Sequence, residues 1–461
     1  MNAVSRKTRF NASRLILLSF LGTILAGTVL LLLPFSTRSP GCMNIVDALF
    51  TAVSATCVTG LIVVDTGSFF TPFGQAVILI LIQLGGLGIM TMSTFFLIML
   101  GRRLTLKDRI MMEDTLGEKK VRGLKGLIKL IVGMTIFLEA IGAALLAWRF
   151  HRVYSYSVGK AVVYGIFHSI SAFCNAGFSL YRDSLMRFGD DWCVTMIMGG
   201  LVLLGGIGFV VWYNLTHIYF WRRDRTRRGR IRLQTKIAVT MSGILLLVMF
   251  LFVLAAEWSN TLDGMPIGEK LSRSFFQAVT PRTAGFNTLE VSRLNPATLW
   301  MTILMMFIGA SPSGTGGGIK TCTFAVILAS VYAMVTGKRQ IILRRKSIAE
   351  HTSVKAISIA VISLAVIFIA CTLLLVVEST ASRPFCRNGY MSDIIFETVS
   401  AFGTVGLSTG ITTYLSIPGK LVIIFTMYVG RIGPLALAIL IGRKIQPPAP
   451  IRYPEESVMV G

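Results

Sequence analysis

Eight apolar runs of about 20 residues, the length that crosses the hydrocarbon core of a bilayer, recur along this 461-residue chain. They lie at roughly 14–34, 72–100, 126–148, 194–221, 237–258, 297–336, 354–378 and 420–442. In lipid every backbone N–H and C=O must be satisfied within the protein, so such runs have to be helices. With 54% hydrophobic and only 14% charged residues, the chain is too apolar for a soluble enzyme of this length. The runs predict an all-α polytopic membrane protein, and an even number of crossings puts both termini on one side.

The charge tells which side. The chain carries a formal net charge of +24, which on a soluble protein would suggest a nucleic-acid partner. Here, 30 of the 45 Lys and Arg residues fall in segments 1–14, 101–130, 222–236, 337–356 and 443–461, against eight acids. Basic residues stay in the cytoplasm, so these segments and both termini are expected to be cytoplasmic in a cell-membrane protein. Membrane lipid is the expected partner of that charge, and no nucleic acid is expected. The seven cysteines show no CxxC spacing, so neither a zinc site nor a disulfide framework follows. The apolar stretch after Arg14 reads as a retained first helix, because seven more follow it.

Between alternate runs lie four short segments that resemble one another: DALFTAVSATCVTGL from Asp47, YGIFHSISAFCNAGF from Tyr164, RSFFQAVTPRTAGF from Arg273 and DIIFETVSAFGTVGL from Asp393. Each has Phe three residues before Val or Ile, then Ser or Thr (Ser54, Ser171, Thr280, Ser400), and closes on Gly60, Gly177, Gly285 or Gly406. The third copy is one residue shorter, so its local backbone is expected to differ. A second glycine cluster follows in each inner run, at LGGLG, LGGIG, IGASPSG and VGRIG. The expected fold is four tandem helix, pore-loop, helix repeats: eight spanning helices and four half-membrane pore helices around a pseudo-fourfold central pore. The whole chain, 1–461, is a single membrane pore domain with repeat units at about 14–100, 126–221, 237–336 and 354–442, and 443–461 is a cytoplasmic tail.

Irregular backbone at membrane depth is tolerated where it lines a water-filled path. The apolar first half of each segment suits a short helix whose C-terminal carbonyls point inward and favour a cation. A dehydrated cation needs oxygen ligands, and extended backbone with glycine supplies a row of carbonyls. The candidate selectivity-filter residues are Val58, Thr59 and Gly60; Asn175, Ala176 and Gly177; Thr283, Ala284 and Gly285; and Thr404, Val405 and Gly406. The last of these matches the start of the potassium-channel TVGYG filter.

These four segments, with QAVTPRTAGFN (Gln277 to Asn287), SAFGTVGLS (Ser400 to Ser408) and MYVGRIGPL (Met427 to Leu435), make the chain resemble the Trk/Ktr/HKT superfamily of potassium transporters over essentially its whole length. It is most similar to the KtrB-type membrane subunits of bacterial Ktr systems, since TrkH-type relatives carry extra helices ahead of the first unit. The resemblance implies potassium uptake across the bacterial plasma membrane, with K+ at the filter carbonyls and glycine in all four copies signalling potassium preference. It also implies a homodimer, the C-terminal tail in its interface, and a cytosolic nucleotide-binding regulatory ring of the KtrA type. Nucleotide is expected on that partner, because this chain has no nucleotide-binding fingerprint and no cofactor of its own. Whether sodium activates uptake stays open.

The inner run of the third unit is about 40 residues, twice one span, and Ser311, Pro312, Ser313, Gly314, Thr315, Gly316, Gly317 and Gly318 form a stretch that helices reject. An irregular mid-membrane loop follows from it, and the resemblance makes this loop an intramembrane gate. Arg431 lies within the last run, where a charge faces a cavity or a partner; the expectation is that it bonds loop carbonyls and raises a cation barrier. Lys320 follows the loop and can either join the gate or snorkel toward the cytoplasm. Glu139 is expected to be buried against the bundle. Asp65, Asp183 and Glu290 sit five or six residues past three filter glycines, where they could concentrate cations at the outer mouth; the fourth copy has Thr412. Two alternatives remain: a cation-coupled symporter with Glu139 or Glu397 as coupling group, and an intramembrane hydrolase, which has no HExxH or paired catalytic constellation to support it.

Overall fold

A computed structural model describes residues 12–38, 43–88, 124–219, 231–338, 340–344, 346–380 and 390–433. In chain order the helices are α1 (Ala12–Leu32), α2 (Ile45–Thr56), α3 (Thr66–Phe69), α4 (Pro72–Gly86), α5 (Leu124–Arg152), α6 (Val158–Phe173), α7 (Trp192–Gly206), α8 (Phe209–Tyr219), α9 (Leu233–Ala256), α10 (Ile267–Val279), α11 (Pro296–Phe307), α12 (Thr321–Val335), α13 (Glu350–Thr380), α14 (Tyr390–Gly403) and α15 (Ile417–Ile432). A two-stranded antiparallel hairpin, β1 (Ile341–Leu343) and β2 (Lys346–Ile348), joins α12 to α13. It departs from the all-α expectation: the Ile341-Ile342-Leu343 run has strand-forming side chains and is too short for a helix.

The same local chemistry starts four helices. Thr71, Asp191, Asn295 and Ser416 each accept a backbone N–H from the first turn of α4, α7, α11 and α15. Three of these helices carry Pro at one of their first two positions, where the missing N–H costs nothing.

Three described helices are long and apolar enough to cross a membrane: Ile131–Arg152, Leu233–Ala256 and Glu350–Ser379. Large apolar side chains such as Leu247, Leu251, Val361 and Phe368 are exposed on two of them, as a lipid-facing surface requires. The fourth run, 194–221, is not one straight span: α7 and α8 meet at 91°. Gly208, with φ +98°, turns the chain there, and a Cβ at this position would collide with the Pro312 carbonyl. The run expected at 297–336 is broken between α11 and α12. The run expected at 14–34 is the single helix α1, whereas those near 72–100 and 420–442 extend beyond the described residues, as do the termini, the 443–461 tail and most of the basic segments at 101–130 and 222–236.

The buried side chains form a closed circuit. One cluster packs Ala48 and Phe70 against Phe167 and Phe178, and a second packs Phe173 and Val202 against Phe276 and Phe286. A third joins Leu289 and Met306 to Phe396 and Phe402, and a fourth returns from Ile394 and Met427 to Phe50 and Val53. Each therefore bridges two successive copies, and the last joins the fourth copy to the first. The repeated Phe50, Phe167, Phe276 and Phe396 are 0–3% exposed. In lipid such burial gains close contacts rather than dehydration.

Candidate functional site

Each of α2, α6, α10 and α14 ends in the same backbone figure. Val58, Asn175, Thr283 and Thr404 have φ of +57°, +59°, +69° and +49°, and the glycine two residues on has φ of +92°, +72°, +79° and +91°. Non-glycine residues, above all β-branched Val and Thr, rarely occupy this region, at a cost of about 1–3 kcal/mol each. Surrounding bonds hold them there. Thr59, Ala176 and Val405 each donate their N–H to the carbonyl five residues back, on Ser54, Ser171 and Ser400, whereas Ala284 donates to Thr280, four back. The missing residue of the third copy is thus absorbed in the turn, and the positive-φ pair is the same in all four.

The repeated Ser or Thr braces this figure, a role that its recurrence in the sequence pointed to without specifying. Ser54 Oγ donates to the Leu61 carbonyl at 2.7 Å and Ser171 Oγ to Phe178 at 2.8 Å, and Thr280 Oγ1 bonds the Phe286 carbonyl. The Gly60 and Gly406 N–H groups donate to Ser54 and Ser400 Oγ, each at 3.1 Å.

The four glycines meet in a ring. A Cβ built on Gly60 would lie 3.0 Å from Gly177 Cα; one on Gly177, 3.0 Å from Gly285 Cα; one on Gly285, 3.3 Å from Gly406 Cα; and one on Gly406, 3.0 Å from Gly60 Cα. Each would also press on a carbonyl oxygen of the next copy: Ala176, Ala284, Val405 and Thr59. Both φ and space therefore demand glycine. All four line the floor of one cavity of about 570 Å³, whose walls include Ser179, Asp183, Asn287, Asp393 and Ser408.

On the other side of the ring lies the irregular stretch between α11 and α12. A Cβ on Gly316 would strike Thr283 Oγ1, and one on Gly317 would strike Thr404 Oγ1. The stretch is tied to its neighbours by Ser311 N–H to the Gly206 carbonyl at 3.0 Å, Phe209 N–H to Ser313 at 3.0 Å and Thr315 N–H to Gly205 at 3.3 Å. Arg431 donates through Nη1 to the Thr315 carbonyl and through Nη2 to the Gly85 carbonyl. Lys320 does not snorkel away: its Nζ turns back to the Gly316 carbonyl at 2.6 Å. The second glycine clusters have a packing reason, since a Cβ on Gly85, Gly205 or Gly430 would collide with the carbonyl of Thr56, Phe173 or Phe402.

The three outer acids are not brought together. Asp183 lines the cavity and pairs with Arg187 at 2.7 Å. Asp65 caps α3 through Ser68 N–H, and Glu290 pairs with Arg293 at 2.7 Å; neither lines the cavity. Thr412, the fourth-copy residue, bonds the buried Glu397. Glu139 is buried, accepting from Gln83 Nε2 at 3.2 Å with Cys174 Sγ 3.7 Å away. Among the described residues no cluster of His, Cys, Asp and Glu could hold a metal ion.

Residues 12–449 match the family described as TrkH, cation transport protein. The chain belongs to that family. Among its TrkH-family relatives, Ktr system potassium uptake protein B of Bacillus subtilis (strain 168) is 42% identical over 460 residues, covering 99% of this chain and 98% of the relative. The protein of the same name from Vibrio alginolyticus is 39% identical over 99% of this chain and 96% of the relative. The potassium/sodium uptake protein NtpJ of Enterococcus hirae is 34% identical over 99% and 98%. The TrkH fold is shared with the crystal structure of the potassium transporter TrkH from Vibrio parahaemolyticus, at TM-score 0.71 and 17% identity, covering 95% of this chain and 86% of that one.

Proposed function

We propose that this chain takes up potassium through a path down the axis of the four-glycine ring, built from four helix, pore-loop, helix repeats. The observation that carries the reading is the closure of that ring: four glycines at positive φ, each leaning on a carbonyl of the next copy. Carbonyl oxygens of Val58, Thr59, Asn175, Ala176, Thr283, Ala284, Thr404 and Val405, with those of the glycines, replace the hydration shell of K+, and the outer cavity is its entrance. The names of the relatives support potassium as the cargo.

The stretch Ser311 to Gly318, with Lys320, acts as the gate beneath the ring. Arg431 latches it shut and places a positive charge on the path, where a cation meets a barrier. Of the three outer acids only Asp183 stands in the entrance. The protein works as a homodimer in the bacterial plasma membrane, both termini cytoplasmic, under a KtrA-type nucleotide-binding ring. Neither Glu139 nor Glu397 lines the cavity, Glu139 being bonded to Gln83 and the fully buried Glu397 lying behind the lining Thr412, which favours uptake driven by the membrane potential, about 2.3 kcal/mol per charge per 100 mV, over coupled symport.

The test is potassium uptake into potassium-depleted cells that lack their own uptake systems, with and without a KtrA-type partner, in potassium and in sodium. Potassium-selective uptake that is lost on Gly285→Ala is expected. No uptake in any combination, with the protein present in the membrane, overturns the reading.

A further inference from the structure

The residue three before the ring glycine is small in three copies, Cys57, Cys174 and Gly403, and is Arg282 in the third. At the seam between the first and second copies, Cys174 meets Gln83 and Glu139, and that seam is filled by these three side chains. At the next seam, the position of Gln83 is taken by Leu203. Here Arg282 donates through Nη1 to the Ser242 carbonyl at 3.1 Å and through Nη2 to Ser242 Oγ at 2.9 Å. Its Nε has no acceptor, although the side chain is only 6% exposed, and among the described residues no carboxylate pairs with it.

The guanidinium borders a cavity of about 220 Å³ walled by Leu203, Ile207, Val239 and Leu246. Gly243 and Val239 stand at its edge and are exposed on the flank of the long apolar helix α9. Its inner wall includes Gly206 and Ala310, and Gly206 is the residue whose carbonyl holds Ser311. A buried cation with an unused donor, in the wall of an apolar chamber whose residues Val239 and Gly243 are exposed on the flank of α9, selects an anionic head with an apolar tail. The small volume suits one chain rather than two.

We propose that this seam is a binding site for a long-chain fatty acid, its carboxylate on Arg282 and its chain running outward past Leu203, Val239 and Leu246. The occupant lies against the backbone that carries the loop after Ala310, so its presence bears on how that loop is held. The proposal concerns binding at the seam and does not depend on the path of the transported ion.

The probe is a hexadecanoic acid bearing a photoactivatable diazirine, compared with its methyl ester, on the full-length protein in phosphatidylcholine nanodiscs. Cross-links are mapped by mass spectrometry. We expect the acid to label the walls of α7 and α9 about tenfold more than the ester, the advantage of one charge-assisted bond to a buried donor. Gly243→Leu, whose side chain enters open space at the mouth, should abolish labelling with Arg282 in place, and Arg282→Gln should reduce acid labelling to the level of the ester. Equal labelling by acid and ester, labelling that survives Gly243→Leu, or no labelling at these helices would each overturn the proposal.

Discussion

Arg431, on α15, donates to the carbonyl of Thr315, 116 residues earlier in the chain. The same guanidinium reaches Gly85, so one side chain of the last unit ties the irregular stretch of the third unit to the inner helix of the first. A charge at membrane depth costs about 2.5–3.5 kcal/mol unless it finds such partners.

Replacing Arg431 with Gln removes the charge and at least one of the two bonds. Cation flux in reconstituted vesicles should rise about tenfold or more, because a bond to a charged donor is worth about 1.5–3 kcal/mol. Arg431→Lys, which retains the charge with a single-point donor, should leave flux nearer the parent. Unchanged flux in Arg431→Gln would remove the latch.

Deleting Gly314 to Gly318 takes away the segment that lies against Thr283 and Thr404. Rubidium uptake without a regulatory partner is expected to increase. A loss of uptake, with the deleted protein still monodisperse, would argue that the segment supports the path rather than obstructs it.

At Gly285 a side chain meets both φ +79° and the Val405 carbonyl 2.5 Å from the Cβ position. Gly285→Ser should therefore displace the ring and admit sodium, while Gly285→Ala, which has no hydroxyl to offer an ion, should cut potassium uptake about tenfold or more, the equivalent of 1–2 kcal/mol of left-handed strain. Competition of sodium against rubidium uptake measures this. Unaltered selectivity in the Ser variant would sever the ring from ion choice.

The braces behind the ring make a separate stability prediction. Ser171→Ala leaves the buried Phe178 carbonyl without its hydroxyl donor, and Thr280→Val does the same to Phe286. Each should cost about 1–3 kcal/mol, read as an earlier unfolding midpoint in detergent. Ser358→Ala, in α13 where the hydroxyl bonds only the Val354 carbonyl of its own helix in an exposed contact, serves as the control.

Asp191 gives a pH dependence. Burial pushes its carboxyl up, but Arg149, the Val194 N–H and Tyr154 together bring it below the ordinary aspartate value. A carboxylate held below its unfolded value adds stability that is complete above that value, about 3.9, and is lost as pH falls through the lower folded one. Asp191→Asn should therefore lower the thermal midpoint at pH 7, and the gap to the parent should close as pH falls below about 4. A gap that stays constant down to pH 3 would show that the carboxylate charge contributes nothing.

Much of this arrangement was legible in the residues. Four FxxV or FxxI segments, each closing on glycine, announced four short helices and four turns, and the Ser311 to Gly318 composition announced the break in the third inner run. Those features are local: they follow from the allowed φ of glycine, the missing N–H of proline and the length of an apolar run. What the one-residue deletion before Gly285 would do was not legible, because the answer lay in a closing turn that shortened from five residues to four while keeping Thr283 at positive φ. Nor was the bend at Gly208, which depends on the approach of the Pro312 carbonyl.

The sequence by itself determined that the chain lives in a membrane and repeats a unit four times, because apolar length and recurring motifs are properties of consecutive residues. Only the tertiary structure decided that Arg431 meets Thr315, that Glu139 meets Gln83, that the outer acids stay apart, and that Arg282 borders an open seam. Those outcomes rest on which copy packs against which, and contacts between residues a hundred positions apart leave no periodic trace in the chain that makes them.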